Sequence, residues 1–222
     1  MDIAGHIKNS FLDFPGLIST VLFVPGCNMD CWYCHNKPLW REDNLLDPAD
    51  IEAFLLSRKG FIDGVVISGG EPTLQPDLKE YIAYIKNLGY RVKLDTNGLK
   101  PDVVRGVMGD VDYIAMDIKA PPGQISRVVS FDIDEEKIWE SADMLMAGDT
   151  DYEFRTTMMP LLTVDDIRRI AQRIKGAKKY ALQQYRKTDE QGLYPEPLSE
   201  SIVREAAKAA GKYIDDVIVR GI

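Results

Sequence analysis

The sequence predicts an α/β fold, a partial (βα)6 barrel in a single domain, and three observations carry that expectation. Short β-rich runs alternate with segments of helical spacing along nearly the whole chain, which implies parallel strands joined by right-handed crossovers. Proline stands near three helix starts, at Pro48, Pro76 and Pro101, where a missing backbone N–H is harmless. Six such units in a chain of 222 residues are too few for a closed barrel of eight. An open doubly wound sheet is the other arrangement that this alternation allows.

Strands are expected at 17–24, 64–68, 91–95, 113–118, 152–157 and 179–185, with a seventh candidate at 216–219. Helices are expected at 48–57, 76–88, 101–108, 134–147, 164–174 and 199–210. In the second of these, Leu78, Ile82 and Ile85 recur at intervals of four and three, while Asp77, Lys79, Glu80 and Lys86 take the other faces. That is the pattern of an amphipathic helix resting on a sheet. The core of the domain is placed at about 17–187, with an N-terminal extension over 1–16 and a C-terminal helix and strand within 198–222. Turn-rich loops are expected at 121–124 and 188–197.

Lys and Arg number 27 against 35 Asp and Glu, a net charge of −8. This balance argues against nucleic-acid binding, which needs a basic face; the densest basic cluster is Lys175, Lys178 and Lys179. No apolar run approaches the roughly 18 residues of a membrane span, and the start of the chain lacks a basic region followed by an apolar one. A cytoplasmic protein without membrane partners is therefore expected. The three cysteines agree, because an odd number packed into eight residues is no disulfide framework.

In parallel βα folds ligands gather at the carboxyl ends of the strands. The unusual residues of this chain fall there: Pro25-Gly26-Cys27 after the first strand, Gly69-Gly70-Glu71-Pro72 after the second and Thr96-Asn97-Gly98 after the third. The fourth ends in Asp117-Ile118-Lys119, the fifth carries Arg155-Thr156-Thr157 and the sixth Gln183-Gln184-Tyr185-Arg186.

Cys27, Cys31 and Cys34 stand four and three residues apart in the loop after the first strand. Thiolates suit zinc, copper(I) or iron-sulfur clusters. A structural zinc wants four protein ligands, and His35 is the nearby candidate for the fourth, although adjacent residues rarely chelate one tetrahedral ion. A [4Fe-4S] cluster held by three cysteines would leave one iron open to a substrate. Zinc or a redox thiol cluster stays as the alternative, and with it a non-enzymatic zinc-binding module.

Cys27-x3-Cys31-x2-Cys34, with Tyr33 before the third cysteine, resembles the signature of the radical S-adenosylmethionine superfamily. Gly69-Gly70-Glu71-Pro72 is similar to its glycine-rich methionine-binding element. Ser10 to Gly16, Cys34-His35-Asn36, Asp95-Thr96-Asn97-Gly98 and Met116-Asp117-Ile118-Lys119 narrow the resemblance to glycyl-radical-enzyme activating enzymes. From His6 to Asn36 it is nearest to the activating proteins of anaerobic ribonucleoside-triphosphate reductase.

The resemblance implies a partial barrel of the radical SAM type, a [4Fe-4S] cluster on Cys27, Cys31 and Cys34, and S-adenosylmethionine chelating the open iron. Cleavage of the sulfonium by one electron would give methionine and a 5′-deoxyadenosyl radical, which takes the Cα hydrogen of a glycine in a partner enzyme. Gly69, Gly70, Glu71 and Pro72 are implied as cofactor-binding, the glycines letting the methionine approach the backbone closely and Glu71 accepting from its amino group; an ordinary βα turn with Pro72 as a helix starter is the plainer alternative. Asp95, Thr96 and Asp117, with the Ala115 carbonyl, are implied as a monovalent cation site; two aspartates merely capping turns are the plainer alternative.

Lys119 is expected to neutralise the cofactor, and Arg155 to offer its fork to a carboxylate or peptide backbone. Asn97 is expected to help bind the cofactor. Asp13 and His35 match positions near the docked glycine loop; Trp32 and Tyr33 would shield the cluster or stack on adenine, or simply pack. Gln183, Gln184 and Arg186 lie where the adenosine pocket closes in the family. The chain lacks the cysteine-rich ferredoxin-like insert of some activators, so an external donor such as flavodoxin or ferredoxin is expected, with the glycine supplied in trans. A radical enzyme acting on a small molecule, such as a modified-nucleoside precursor, is the second reading.

Overall fold

The structure, a computed structural model, describes residues 1–40, 45–187 and 195–222. Eight strands form one sheet: β1 (Gly5–Ser10), β2 (Ser19–Val24), β3 (Gly64–Gly69), β4 (Arg91–Thr96), β5 (Tyr113–Asp117), β6 (Asp151–Met158), β7 (Tyr180–Gln184) and β8 (Val217–Arg220). Their order in the sheet is their order in the chain, as successive right-handed βα units in a barrel require. Between them run α1 (Pro48–Ser57), α2 (Leu78–Asn87), α3 (Pro101–Val107), α4 (Glu136–Ala147), α5 (Val164–Arg173) and α6 (Glu200–Ala210). Each expected strand and helix is present within about two residues of its expected ends.

One strand was not anticipated. The extension over 1–16 contains β1, antiparallel to β2, with Gly5 opposite Phe23, His6 opposite Leu22 and Ser10 opposite Ser19. Ile7, Lys8 and Asn9 are exposed, so Gly5–Ser10 lacks the apolar run or clean alternation by which the other strands announce themselves. A charged, short strand at a sheet edge is a usual guard against edge-to-edge pairing. Of the loop expected at 188–197, residues 188–194 lie outside the described residues.

The chain packs as two compact units. The first comprises Met1–Asn28, Asn36–Thr96 and Lys100–Ala115; the second comprises Met29–His35, Asn97–Leu99 and Met116–Ile222. In the first, β2 and β3 run parallel with Val21 opposite Val66 and Val24 opposite Gly69, and β3 pairs with β4 from Gly64–Arg91 to Ile67–Leu94. Consecutive residues of β3 from Val65 to Ile67 are all buried, as in a strand covered on both sides, and Phe14 from the β1–β2 loop joins Val21 and Val66 in the core. α2 buries Leu78, Ile82 and Ile85, the stripe that its spacing predicts.

In the second unit β6, β7 and β8 are parallel, with Phe154 opposite Tyr180 and Tyr180 opposite Val217. α5 begins with a reciprocal capping box: the Asp166 N–H donates to Thr163 Oγ1, and the Thr163 N–H donates to Asp166 Oδ2. Glu153 on β6 is fully buried and accepts both arms of the Arg220 fork from β8 at 2.7 Å. The Tyr180 hydroxyl donates to Thr156 Oγ1 at 2.7 Å, and Thr156 Oγ1 donates to the Ile118 carbonyl at 2.6 Å. These polar links fix the end of β5, where the candidate site residues of this unit begin.

Candidate active site

Within the first unit, two motifs far apart in sequence interlock. The Gly70 N–H donates to the Val24 carbonyl and the Glu71 N–H to the Gly26 carbonyl, both at 2.9 Å, while Gln75 Nε2 donates to the Pro25 carbonyl at 3.3 Å. The turn after β3 is therefore seated on the residues that lead into Cys27. Asn36 closes the arrangement, its Nδ2 donating to the Gly69 carbonyl at 2.8 Å. Asn36 was quoted as part of a motif but not singled out as a site residue; a carboxamide directly after a cysteine loop was the available signal.

The glycines have a nearer reason than an approaching ligand. A Cβ on Gly70 would lie 1.7 Å from the Gly26 carbonyl oxygen, and one on Gly69 2.4 Å from the Val24 nitrogen. Gly69 also has φ +117°, which side-chain-bearing residues rarely adopt. Closeness of the protein's own backbone demands both glycines.

Glu71 is buried and acts on its own chain. Its Oε1 accepts from the Thr73 N–H at 3.1 Å, the Thr73 hydroxyl at 2.5 Å and the Thr96 hydroxyl at 2.8 Å. It thus caps the short 3-10 turn that Pro72 opens and ties that turn to the end of β4. Asp95 accepts from Ser68 Oγ at 3.0 Å and from Lys93 Nζ at 2.5 Å. Lys93, only 1 % exposed, is a functional candidate that the sequence reading missed. The alternation Val92-Lys93-Leu94 reads as an outward-facing lysine, yet all three are buried because β4 is covered on both faces.

Asp13 does not share this neighbourhood. Ser10 Oγ donates to its carboxylate at 2.5 Å in the loop that joins β1 to β2, beside Ser19. Cys27 follows the other end of β2, roughly 17 Å away along the strand.

Within the second unit, the Cys34 N–H donates to the Cys31 carbonyl at 3.1 Å, a turn that groups these two residues. Cys31 is 5 % exposed, Cys34 is half-buried and His35 is exposed. Behind them Trp32, Tyr33 and Tyr185 form an aromatic cluster, with ring centroids 5.4 Å apart for Trp32–Tyr33 and 6.4 Å for Tyr33–Tyr185. At the end of β5, Asp117 accepts from Arg155 Nε at 2.8 Å and from Lys119 Nζ at 3.2 Å. Asn97 is buried and its Oδ1 accepts from the Leu99 N–H at 3.0 Å, so it shapes its own turn. Gln184 donates to the Leu198 carbonyl at 2.9 Å, and Arg186 is exposed.

The electrostatics of this cluster follow from the positions. Burial alone would raise the Asp117 carboxyl, but Arg155 and Lys119 outweigh it and bring it down to about 2. Burial opposes the charge on Lys119 as well, yet Asp117, Tyr33 and Cys31 hold the ammonium well above its ordinary value. Burial pushes the Cys31 thiol up, and Lys119 pulls the other way. Lys119 offsets the upward push on the Cys31 thiol only in part, and Cys34, Asp117 and Asp30 add to that push.

Cys31 and Cys34 are in no disulfide. Among the described residues no three His, Cys, Asp or Glu side chains are gathered as a single-ion site. The fit to a cluster rests on the donor chemistry: three soft ligands on one short loop, two of them in a shared turn. The monovalent cation expected at Asp95, Thr96 and Asp117 meets a different arrangement. Lys93 already contacts Asp95, Arg155 and Lys119 already contact Asp117, and Thr96 is committed to Glu71.

The fold is an α/β sheet of mostly parallel strands, and the loop after β2 carries all three cysteines. Residues 21–174 match the model of the radical SAM superfamily, and the chain belongs to that family. A Methanocaldococcus jannaschii protein, provisionally named a glycyl-radical enzyme activating enzyme, is 36 % identical over 99 % of this chain and 96 % of its own. The pyruvate formate-lyase-activating enzyme of Clostridium pasteurianum is 34 % identical over 49 % of this chain and 48 % of its own. Among solved structures, Streptococcus suis SuiB bound to S-adenosylmethionine superposes with a TM-score of 0.71 at 15 % identity, over 90 % of this chain and 52 % of that one. This chain spans about half the length of SuiB, and the likeness is one of fold. A domain of pyruvate-formate lyase-activating enzyme from Bacteroides vulgatus superposes with a TM-score of 0.58 at 19 % identity, over 72 % and 99 %. Membership of the family brings a [4Fe-4S] cluster and S-adenosylmethionine as resident groups, and the donor set fits them. Among the described residues no helix is long and apolar enough to cross a membrane.

Proposed function

We propose that this chain is an activating enzyme for a glycyl radical enzyme, with anaerobic ribonucleotide reductase as the partner. The observation that carries the reading is the interlock of Gly70 and Glu71 with Val24 and Gly26, which builds the methionine-binding turn onto the cysteine loop. A relative with that role assigned, matched over nearly the full length of both chains, supports it. When bound, the cluster and S-adenosylmethionine supply a one-electron cleavage of the sulfonium whose product takes the hydrogen from a glycine Cα.

The protein's share is to bind, orient and exclude water. Cys27, Cys31 and Cys34 would hold the cluster, and the aromatic cluster of Trp32, Tyr33 and Tyr185 would shield it from solvent. The turn of Gly69, Gly70 and Glu71 would receive the methionine portion, its shape held by Asn36 and by Glu71's bonds to Thr73 and Thr96. Lys119 would balance the negative charge of the thiolates and of the cofactor's carboxylate, with Asp117 and Arg155 fixing its position. Asp13 and His35 are assigned to the partner's glycine segment on resemblance alone, and a flavodoxin or ferredoxin would deliver the electron.

Anaerobic incubation of the reconstituted chain with reductant, S-adenosylmethionine and the reductase, followed by EPR, tests the reading. A glycyl doublet on the reductase is expected. Cofactor cleavage with an altered small molecule as product, and no radical on any glycyl radical enzyme, would instead establish the small-molecule reading.

A further inference from the structure

The cysteine loop is held from outside by a short segment that no sequence motif marks. The Trp32 N–H donates to the Val128 carbonyl at 3.3 Å, and Cys31 and Val129 form an isolated antiparallel bridge. Val128 and Val129 are buried at 2 % and 5 % exposure, and both of their N–H groups turn back onto the Ile125 carbonyl, at 2.9 and 3.2 Å. This segment belongs to the loop after β5, which has one short 3-10 turn at Ile125–Arg127 and no neighbouring strand.

Arg127 fastens that segment. Its guanidinium donates to Asp166 Oδ1 and Oδ2 at 3.3 and 3.2 Å, to Gln124 Oε1 and to the Leu161 carbonyl. Asp166 is itself immobilised, since its buried carboxylate also accepts from the Thr163 N–H and hydroxyl in the capping box of α5. Arg127 is exposed, but its Nη1 reaches both Asp166 oxygens while its Nη2 reaches the Leu161 carbonyl, a spread of partners that the single ammonium of lysine cannot reproduce. Rigid packing thus continues from α5 through Arg127 to Val128 and Val129, and from there to the backbone of Cys31 and Trp32.

We propose that Arg127 is a positioning residue for the cysteine loop, fixing the backbone at Cys31 from a helix that contributes no residue to the candidate site. The proposal rests on the reading of Cys31 as a cluster ligand, but its test does not, because the joint is made of protein groups alone. Arg127→Gln should let the loop open locally while leaving the rest of the fold closed.

The probe is iodoacetamide alkylation of the metal-free, fully reduced chain, resolved by cysteine through peptide mass spectrometry, alongside thermal unfolding. In Arg127→Gln the buried Cys31 should react about tenfold faster, the loss expected for a charge-assisted bond. Cys27 should change little, the melting temperature should fall by no more than a few degrees, and Arg127→Lys should be intermediate. Arg168→Gln, which removes an exposed cation of α5 that pairs with Asp165 and bonds Tyr213, should match the parent. After iron and sulfide loading, Arg127→Gln should lose iron to a chelator faster by a similar factor. Cys31 alkylation at the parental rate in Arg127→Gln would overturn the proposal, as would equal acceleration at all three cysteines together with a collapsed melting temperature. Faster Cys31 alkylation in a chain that never takes up iron would sustain the joint and sink the cluster reading instead.

Discussion

Arg155 Nε donates to Asp117 Oδ1 at 2.8 Å, joining the end of β5 to β6. Because Lys119 reaches the other oxygen of the same carboxylate, Asp117 is the hinge of a two-cation, one-anion cluster. The Asp117 carboxyl titrates near about 2 in the folded chain and near 4 when unfolded. Its contribution is therefore complete above about pH 5 and is lost as the pH falls toward 2.

Asp117→Asn should lower the stability at pH 7 by about 1–3 kcal/mol, since two cations lose their anion in a part-buried site. Urea unfolding at pH 7 and again near pH 2.5 checks this: the gap between parent and variant should close at the lower pH. A gap that stays constant would show that the ion cluster is not its source.

Lys93→Met should cost about 3–5 kcal/mol, because it leaves the Asp95 carboxylate in a covered strand without its ammonium. Combining it with Asp95→Leu should restore part of that loss, an interaction that a double-mutant cycle in urea measures directly. The double variant should still fail to bind S-adenosylmethionine if Asp95 serves the cofactor.

Gly70→Ala should not fold normally. Its Cβ would meet a backbone oxygen at 1.7 Å, which no rotamer change relieves, and a cost above about 3 kcal/mol is expected. Yield of soluble protein and the melting temperature report it. A stable, fully soluble variant would show that the turn after β3 sits farther from Gly26.

Asn36→Ala removes the bond to the Gly69 carbonyl and should destabilise the chain by about 1 kcal/mol. The same loss should weaken S-adenosylmethionine binding to the reconstituted protein by roughly tenfold, measured by calorimetry under anaerobic conditions.

Much of this architecture was legible beforehand because its signals are local. The apolar stripe of α2 and the prolines before α1 and α3 are written in consecutive residues, and those elements fall where expected. β1 was not legible, since an exposed edge strand carrying Lys8 and Asn9 needs no hydrophobic run. The motif residues themselves stood out, yet what each does was harder to read. Glu71 caps its own turn through Thr73, and the glycines are required by the backbone of Val24 and Gly26, which lie some 45 residues away in sequence. Lys93 escaped notice for a related reason: burial on both faces of a parallel strand cannot be told from alternation when one residue is charged. Asp13 shows the converse, a conspicuous residue in a motif whose loop the structure sets at the far end of β2.

The central claim is that Cys27, Cys31 and Cys34 hold a cluster that cleaves S-adenosylmethionine. The most direct test is chromatographic detection of 5′-deoxyadenosine after anaerobic loading with iron and sulfide and reduction by dithionite, in the parent and in Cys27→Ala, Cys31→Ala and Cys34→Ala. The account predicts 5′-deoxyadenosine from the parent and none from any of the three variants, each still folded by circular dichroism. Undiminished product from a folded variant lacking one of these thiols would contradict it.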